Sequence, residues 1–216
     1  MTKQKINKIL KKVGAILTND HFVYTSGKHG SVYINKDFLY PHTKETSQVC
    51  RMFARKFKDF PVDVVAAPAV GGTILCTWTA YHLSRLKKRE VLSVYAEKDK
   101  GNRASASDSN LQFNRGYDAI IKGKNVLVLE DLTTTGISAK KTVDTVRSVG
   151  GKVVAVGVML NRNPKEVNEI LFRAPFFALG ELPVEAYDEE DCPLCKKKIK
   201  INTKIGHGKK FLEKKR

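Results

Sequence analysis

The residues with the most chemical promise lie in one segment. Val126-Leu127-Val128-Leu129 runs into Glu130-Asp131, then Leu132-Thr133-Thr134-Thr135-Gly136-Ile137-Ser138. An unbroken apolar run of that length fits a strand buried on both faces of a parallel sheet. The acidic pair then stands at the carboxyl end of a central strand, where open α/β sheets place their ligands. Carboxylates accept hydrogen bonds from sugar hydroxyls and favour positive charge on a sugar ring. The threonine-rich turn leads into a helix, whose free N–H groups and dipole favour a phosphate. Gly136 allows the backbone to approach a ligand closely. A ribose 5-phosphate carries both features, a few ångströms apart. No Gly-Lys-Thr/Ser follows a glycine-rich loop and no Gly-x-Gly-x-x-Gly is present, so neither a Walker loop nor a dinucleotide fingerprint applies. An acidic pair alone would read as a helix cap. The strand, pair, turn and helix together carry the sugar-phosphate reading.

These residues need a scaffold, and the rest of the chain supplies one. Ile6, Ile9, Leu10, Val13, Ile16 and Leu17 recur at helical spacing between lysines, predicting an amphipathic opening helix. Residues 22–34 read as strand, glycine-bearing turn and strand, a hairpin. Thr43–Phe57 reads as a helix, and Val62–Ala67 as a buried strand entering Pro68-Ala69-Val70-Gly71-Gly72. A helix is expected from Thr73 to about Leu86, a strand over Val91–Tyr95, a strand over Asn125–Glu130, a helix over Ser138–Val149 and a strand over Lys152–Leu160. Alternating strands and helices predict an α/β fold with a doubly wound, mostly parallel sheet. Asp99–Asn110 has no large apolar residue and is too long for an idle connection, so a functional loop is expected there.

Composition narrows the class. Hydrophobic residues make up 42% of 216 and charged residues 28%, which suits a globular domain and argues against disorder. No apolar run approaches the roughly 18 residues of a membrane span, and the first residues lack the pattern of a secretory signal, so a cytoplasmic location is expected. The net charge of +17 is concentrated at Lys3–Lys12, Lys87–Arg89 and Lys196–Arg216. Charge gathered at ends and at a helix terminus reads as basic surface that draws in polyanionic small substrates. Specific nucleic-acid binding is not expected from it.

Of four cysteines, Cys50 and Cys76 sit in apolar helical patterns and read as buried thiols. Cys192-Pro193-Leu194-Cys195 is a zinc half-site by spacing, with His207 as a third ligand and no clear fourth nearby. The other reading is a reduced pair in a proline-containing turn, and no metal is assigned to the protein on sequence alone.

Taken together, the motifs resemble the type I phosphoribosyltransferases, and within them the bacterial and archaeal orotate phosphoribosyltransferases. The likeness covers nearly the whole chain. Residues 22–33, with the Thr-Ser-Gly-Lys-His core and the following Tyr33-Ile34-Asn35-Lys36, resemble that family's entry hairpin. Pro68–Gly72 resembles its pyrophosphate-side loop. Tyr95–Lys98 and Phe113–Tyr117 resemble the edges of its mobile loop, and Leu160-Asn161-Arg162 the strand end bearing its orotate-contacting arginine. Cys192–Cys195 with Gly206-His207-Gly208 resembles tails found in one branch.

The resemblance implies one phosphoribosyltransferase domain over residues 1–187, with residues 1–40 as a helix–hairpin hood and 188–216 as a basic tail. It implies transfer of the phosphoribosyl group of PRPP (5-phosphoribosyl 1-pyrophosphate) to orotate with Mg²⁺, in a homodimer. Glu130 and Asp131 would hold the ribose hydroxyls, Thr133 to Ser138 (Thr133, Thr134, Thr135, Gly136, Ile137, Ser138) the 5′-phosphate, and Leu132 would also belong to the PRPP site. Val70, Gly71 and Arg115 would serve PRPP, with Lys98, Lys100 and Arg103 as further cations for the leaving group. Thr134, Arg162, Lys28 and Tyr33 would contact orotate. Two departures stand out: Thr25 occupies a place where many members have lysine, and no histidine lies between His82 and His207. Two rival functions follow from the same residues: transfer to another base, or a nucleic-acid-binding regulator using this fold or the basic tail.

Overall fold

In a computed structural model, the structure describes residues 2–24, 26–98 and 111–214. The loop expected over Asp99–Asn110, with Lys100 and Arg103, lies outside the described residues, as does Thr25. Strands β1 (Ile16–Val23) and β2 (His29–Ile34) pair antiparallel as a hairpin after helix α1 (Thr2–Lys12). Then follow α2 (Thr43–Phe57), β3 (Val64–Pro68), α3 (Gly71–Lys87), β4 (Leu92–Lys98), β5 (Leu111–Gln112) and α4 (Tyr117–Ile121). The chain continues through β6 (Asn125–Thr133), α5 (Ile137–Ser148), β7 (Lys152–Asn161), α6 (Glu169–Phe172) and β8 (Phe176–Glu181) to α7 (Pro193–Lys196) and α8 (Gly208–Glu213).

Six strands form the central sheet in the order β5-β4-β3-β6-β7-β8, parallel except for the β4–β5 edge pair. Alternation along each buried strand divides the core. Leu127 and Leu129 point to the layer of α1, α2 and α3, while Val126 and Val128 face α4, α5 and α6. This two-sided burial is why the β6 sequence is continuously apolar.

The strand order reverses direction between β3 and β6, and the two strands part early. They pair only from Val64↔Val126 to Ala66↔Val128, whereas β6 stays paired with β7 to Thr133↔Asn161. A crevice opens beyond Val128 at the switch point of the sheet, the usual ligand position in this architecture.

Two expectations change. The opening helix stops at Lys12, and Gly14 adopts φ +72°, so Ile16 and Leu17 begin β1 instead of ending the helix. The helical spacing there was partly coincidence with a strand packed on the same core. Strand β6 runs three residues further than expected, so Glu130 and Asp131 lie inside the strand. The basic tail after Tyr187 carries secondary structure of its own: it holds α7 and α8, and Cys192 is fully buried.

Candidate active site

Glu130 and Asp131 occupy the freed edge of β6, with 5% and 4% of their surface exposed. Successive residues of a strand point to opposite faces. Asp131 therefore meets a different set of neighbours from Glu130. Its Oδ2 accepts from Lys36 Nζ at 2.6 Å and from Tyr40 OH at 2.9 Å, and its Oδ1 accepts from the Leu132 N–H at 2.6 Å. Burial alone would lower the Lys36 pKa, but the Asp131 charge and hydrogen bond outweigh it and the ammonium is favoured. Burial, then Asp131, raises the Tyr40 phenol. Glu130 Oε1 accepts from the Asp131 N–H at 3.1 Å, while Oε2 is buried with no hydrogen-bond partner among the described residues. Burial first, and the Asp131 charge second, push Glu130 up to about 8.

Loops complete the crevice. After β3, Pro68–Val70 turn through a cis Ala69–Val70 peptide into α3, and Val70 is exposed. Gly71 lies against the acidic pair: a Cβ there would overlap Asp131 Oδ2 and stand 2.7 Å from Lys36 Nζ. On the other side, Thr134 and Thr135 form an exposed bend after Thr133. Gly136, at φ +75°, caps the N-terminus of α5. The first helical bond is Lys140 N–H to Gly136 O at 2.8 Å, so the N–H groups of Ile137, Ser138 and Ala139 have no partner one turn back within the helix. Ile137 and Ser138 are exposed there.

A cavity of about 230 Å³ continues from Lys36 along the hairpin to Arg162, lined also by Tyr24, Tyr33 and Leu132. Arg162 follows the last residue of β7, and its N–H donates to Thr133 O at 2.9 Å, tying it to the acidic strand. Its guanidinium lies over the Tyr24 ring, 5.2 Å from the centroid, and its Nε is buried with no hydrogen-bond partner among the described residues. Among the described residues no carboxylate pairs with it. Burial lowers the Arg162 pKa, while Tyr24 and Tyr33 act in the opposite direction. A half-buried guanidinium without an anion beside it is costly, and an anionic ligand would relieve that cost. Two larger hollows, of about 390 and 500 Å³, lie among basic residues such as Arg51, Arg55 and Arg85, away from the carboxylates. Neither is lined by an acidic or strand-end group.

Not every expected residue converges here. Lys28 Nζ binds Asp188 Oδ2 at 2.9 Å and does not line the cavity. Arg115 pairs with Glu97 at 3.5 Å on the edge of the sheet, and Glu97 chiefly raises its pKa. Lys98 ends β4 with its side chain exposed. Conversely, Lys36, Tyr40 and Tyr24 were not among the candidates. The sequence marks Lys36 only as the close of Tyr33-Ile34-Asn35-Lys36, and Tyr40 carries no local signal at all. Among the described residues, the groups beside Cys192 and Cys195 are His21 and His29, not His207.

The Phosphoribosyl transferase domain matches residues 37–171. Orotate phosphoribosyltransferase of Caldanaerobacter subterraneus subsp. tengcongensis is 36% identical over 203 residues, covering 93% of this chain and 96% of that one. The enzyme of the same name from Thermotoga maritima is 34% identical over 194 residues, covering 90% and 94%. Among solved structures, Mycobacterium tuberculosis orotate phosphoribosyltransferase in complex with Fe(III) dicitrate superposes with a TM-score of 0.65 at 19% identity, over 84% of this chain and 97% of that chain. Adenine phosphoribosyltransferase from Thermoanaerobacter pseudethanolicus gives 0.62 at 20%, over 80% and 99%, so the fold alone does not choose the base. The fold and the strand-end carboxylates define a phosphoribosyltransferase. By its relatives over nearly its full length, the chain belongs to the orotate phosphoribosyltransferase family.

Proposed function

We propose that the protein transfers the 5-phosphoribosyl group of PRPP to orotate, giving orotidine 5′-monophosphate and pyrophosphate in pyrimidine synthesis. The observation that carries the choice of base is Arg162. Its half-buried guanidinium has no carboxylate beside it among the described residues and stands at the far end of a cavity that begins at the Lys36–Asp131 pair. Orotate carries a carboxylate that a guanidinium fork binds in two parallel hydrogen bonds. Tyr33 packs beside the ring, and Thr134 supplies a hydroxyl near the base. Lys28 contributes only once it leaves Asp188.

In this reading the ribose lies over Glu130 and Asp131, its 5′-phosphate at Thr133–Ser138, and its pyrophosphate towards Val70 and Gly71. The orotate nitrogen bonds to C1 as the C1–oxygen bond to pyrophosphate breaks. Positive charge grows on the ribose and negative charge on the leaving group, so fixed carboxylates and cations lower the barrier. Lys98, Lys100, Arg103 and Arg115 are the cations we assign to the leaving group. Mg²⁺ suits an all-oxygen site and would offset the charge of the pyrophosphate. Asp131 already accepts three donors, which supports a cation held mainly by substrate and water, with Glu130 Oε2 as the protein oxygen left to it.

We also propose a cytoplasmic homodimer, with residues 1–187 as one domain and 188–216 as its tail. The four free thiols suit a reducing compartment.

The test is PRPP-dependent loss of orotate absorbance with Mg²⁺. Arg162→Ala should lower kcat/KM for orotate by about 100-fold, as expected for a lost charge-assisted bidentate pair, with PRPP affinity unchanged. Full orotate turnover by that variant would refute the base assignment and leave the class intact.

A further inference from the structure

Four side chains outside the proposed transfer site converge behind the hairpin. His21 lies in β1, His29 opens β2, Cys192 precedes α7 and Cys195 lies within it. Their ligand atoms all fall within 4.8 Å of one another. His21 Nε2 is 2.9 Å from His29 Nδ1 and 3.7 Å from each of Cys192 Sγ and Cys195 Sγ, and Cys195 Sγ is 3.3 Å from His29 Nδ1. Ordinary Zn–N and Zn–S bond lengths in a tetrahedron require about 3.3 Å between nitrogens and about 3.5 Å between nitrogen and sulfur. These four distances are within a few tenths of an ångström of those values, and the two remaining pairs lie within 4.8 Å, close enough for a small side-chain adjustment to complete the tetrahedron.

A second observation concerns proton placement. His21 Nδ1 lies 2.8 Å from the carbonyl oxygen of Ile199. A carbonyl only accepts, so Nδ1 carries the hydrogen and the Nε2 lone pair faces the two sulfurs. Metal-binding histidines are fixed in this way by a backbone acceptor on the opposite nitrogen. Charge balance agrees. His21, His29 and Cys192 are at most 1% exposed, and a dication with two thiolates and two neutral imidazoles is neutral, so burial carries no net charge penalty. Two sulfurs and two imidazoles select a borderline-soft ion over Mg²⁺, and four protein ligands leave no position open for substrate.

We propose that His21, His29, Cys192 and Cys195 form a structural zinc site that fastens the C-terminal segment to the hairpin. The surrounding contacts serve the same junction. The Asn202 N–H donates to His21 O at 2.8 Å, the His207 N–H to Val23 O at 2.9 Å, and the Phe211 ring meets His29 edge-on at 4.8 Å. His207 thus binds through its backbone, and the sequence-based choice of it as third ligand gives way to two histidines that bracket the hairpin turn. The assignment does not depend on which base the enzyme uses.

The experiment is elemental analysis of the full chain purified without chelator or nickel resin, followed by Co²⁺ exchange. One zinc per chain is expected. Cobalt should give the intense visible bands of a tetrahedral ion and a near-ultraviolet thiolate-to-cobalt band. Cys195→Ser should lose the stoichiometric zinc and weaken the thiolate band, while His207→Asn should retain both. Because the Cys195 variant can misfold, the cobalt spectrum of the unaltered chain decides independently. A chain with no zinc and no tetrahedral cobalt spectrum overturns the proposal. So does a mass two hydrogens short in reductant-free protein, from a Cys192–Cys195 disulfide, or a metal content indifferent to Cys195→Ser.

Discussion

Glu130 and Asp131 are adjacent in sequence and opposite in state. Asp131 is held by Lys36, Tyr40 and the Leu132 N–H, whereas Glu130 sits buried with one oxygen that has no hydrogen-bond partner among the described residues. Its carboxyl is raised to about 8, first by burial and then by Asp131. The linkage sign follows directly. Between the ordinary carboxylate value and about 8, the folded chain holds a proton here that the unfolded chain has released. Stability from this group is therefore complete below the ordinary value and falls as pH rises through about 8. Glu130→Gln keeps the shape and removes the titration. Its unfolding midpoint, followed by thermal denaturation from mildly acidic to mildly alkaline pH, should decline less steeply than that of the unaltered chain. Parallel declines in the two proteins would show that Glu130 is ionised in the free fold.

At the scale of elements, the turn from β6 into α5 decides whether a phosphate can be held. Gly136 needs the left-handed conformation, and a Cβ there would run into Leu171 Cδ2 and lie 3.5 Å from Val167. An alanine carries about 1–2 kcal/mol from the conformation alone, and the contact with α6 adds to it. We expect Gly136→Ala to lower stability in urea by at least that amount. It should also raise the KM for PRPP more than that for orotate, because the displaced helix start is the proposed phosphate site. An equal rise for both substrates would show that the turn acts only through global stability.

This turn was legible in the sequence because its signals are local: an apolar strand, an acidic pair, threonines, a glycine and a helical pattern. The alternation of strands and helices was legible for the same reason. The partners of Asp131 were not, because Lys36 and Tyr40 lie 95 and 91 residues away. The crevice itself depends on β3 and β6 parting after Val128, a property of sheet twist and strand length that no single segment records. Helical spacing over Ile16 and Leu17 misled because a strand packed on the α1 core needs the same residue types. Likewise, Cys192-x-x-Cys195 announced half of a cluster whose other half is 171 and 166 residues away in the hairpin.

Across the whole molecule, the C-terminal segment forms part of the wall behind the proposed base site. The hairpin that carries Tyr24 and Tyr33 is a two-stranded sheet with no strand pairing to the six-stranded one, rooted in the core at Ile16 and Ile34, and two-stranded hairpins need such packing because alone they are marginal in water. Tyr187 and the tail beyond it add further support. Tyr187 exchanges backbone hydrogen bonds with His29 at 2.7 and 2.9 Å, Asp188 pairs with Lys28, and the Asn202 and His207 N–H groups bind the β1 backbone. Gly206 packs so closely that a Cβ there would be 2.8 Å from Val23 O and 3.2 Å from the Tyr33 ring. The Thr133–Ser138 turn and the Gly71 loop belong to the central sheet and need none of these contacts. Ending the chain after Tyr187 should therefore separate the two substrates. The KM for orotate should rise about tenfold, equivalent to about 1.4 kcal/mol of lost wall contacts, while PRPP still protects the truncated protein against thermal unfolding. That retained protection also establishes that the truncated chain is folded. An unchanged KM for orotate would mean that the hairpin holds its shape without the tail, and that the segment beyond Tyr187 serves some purpose other than shaping the base site.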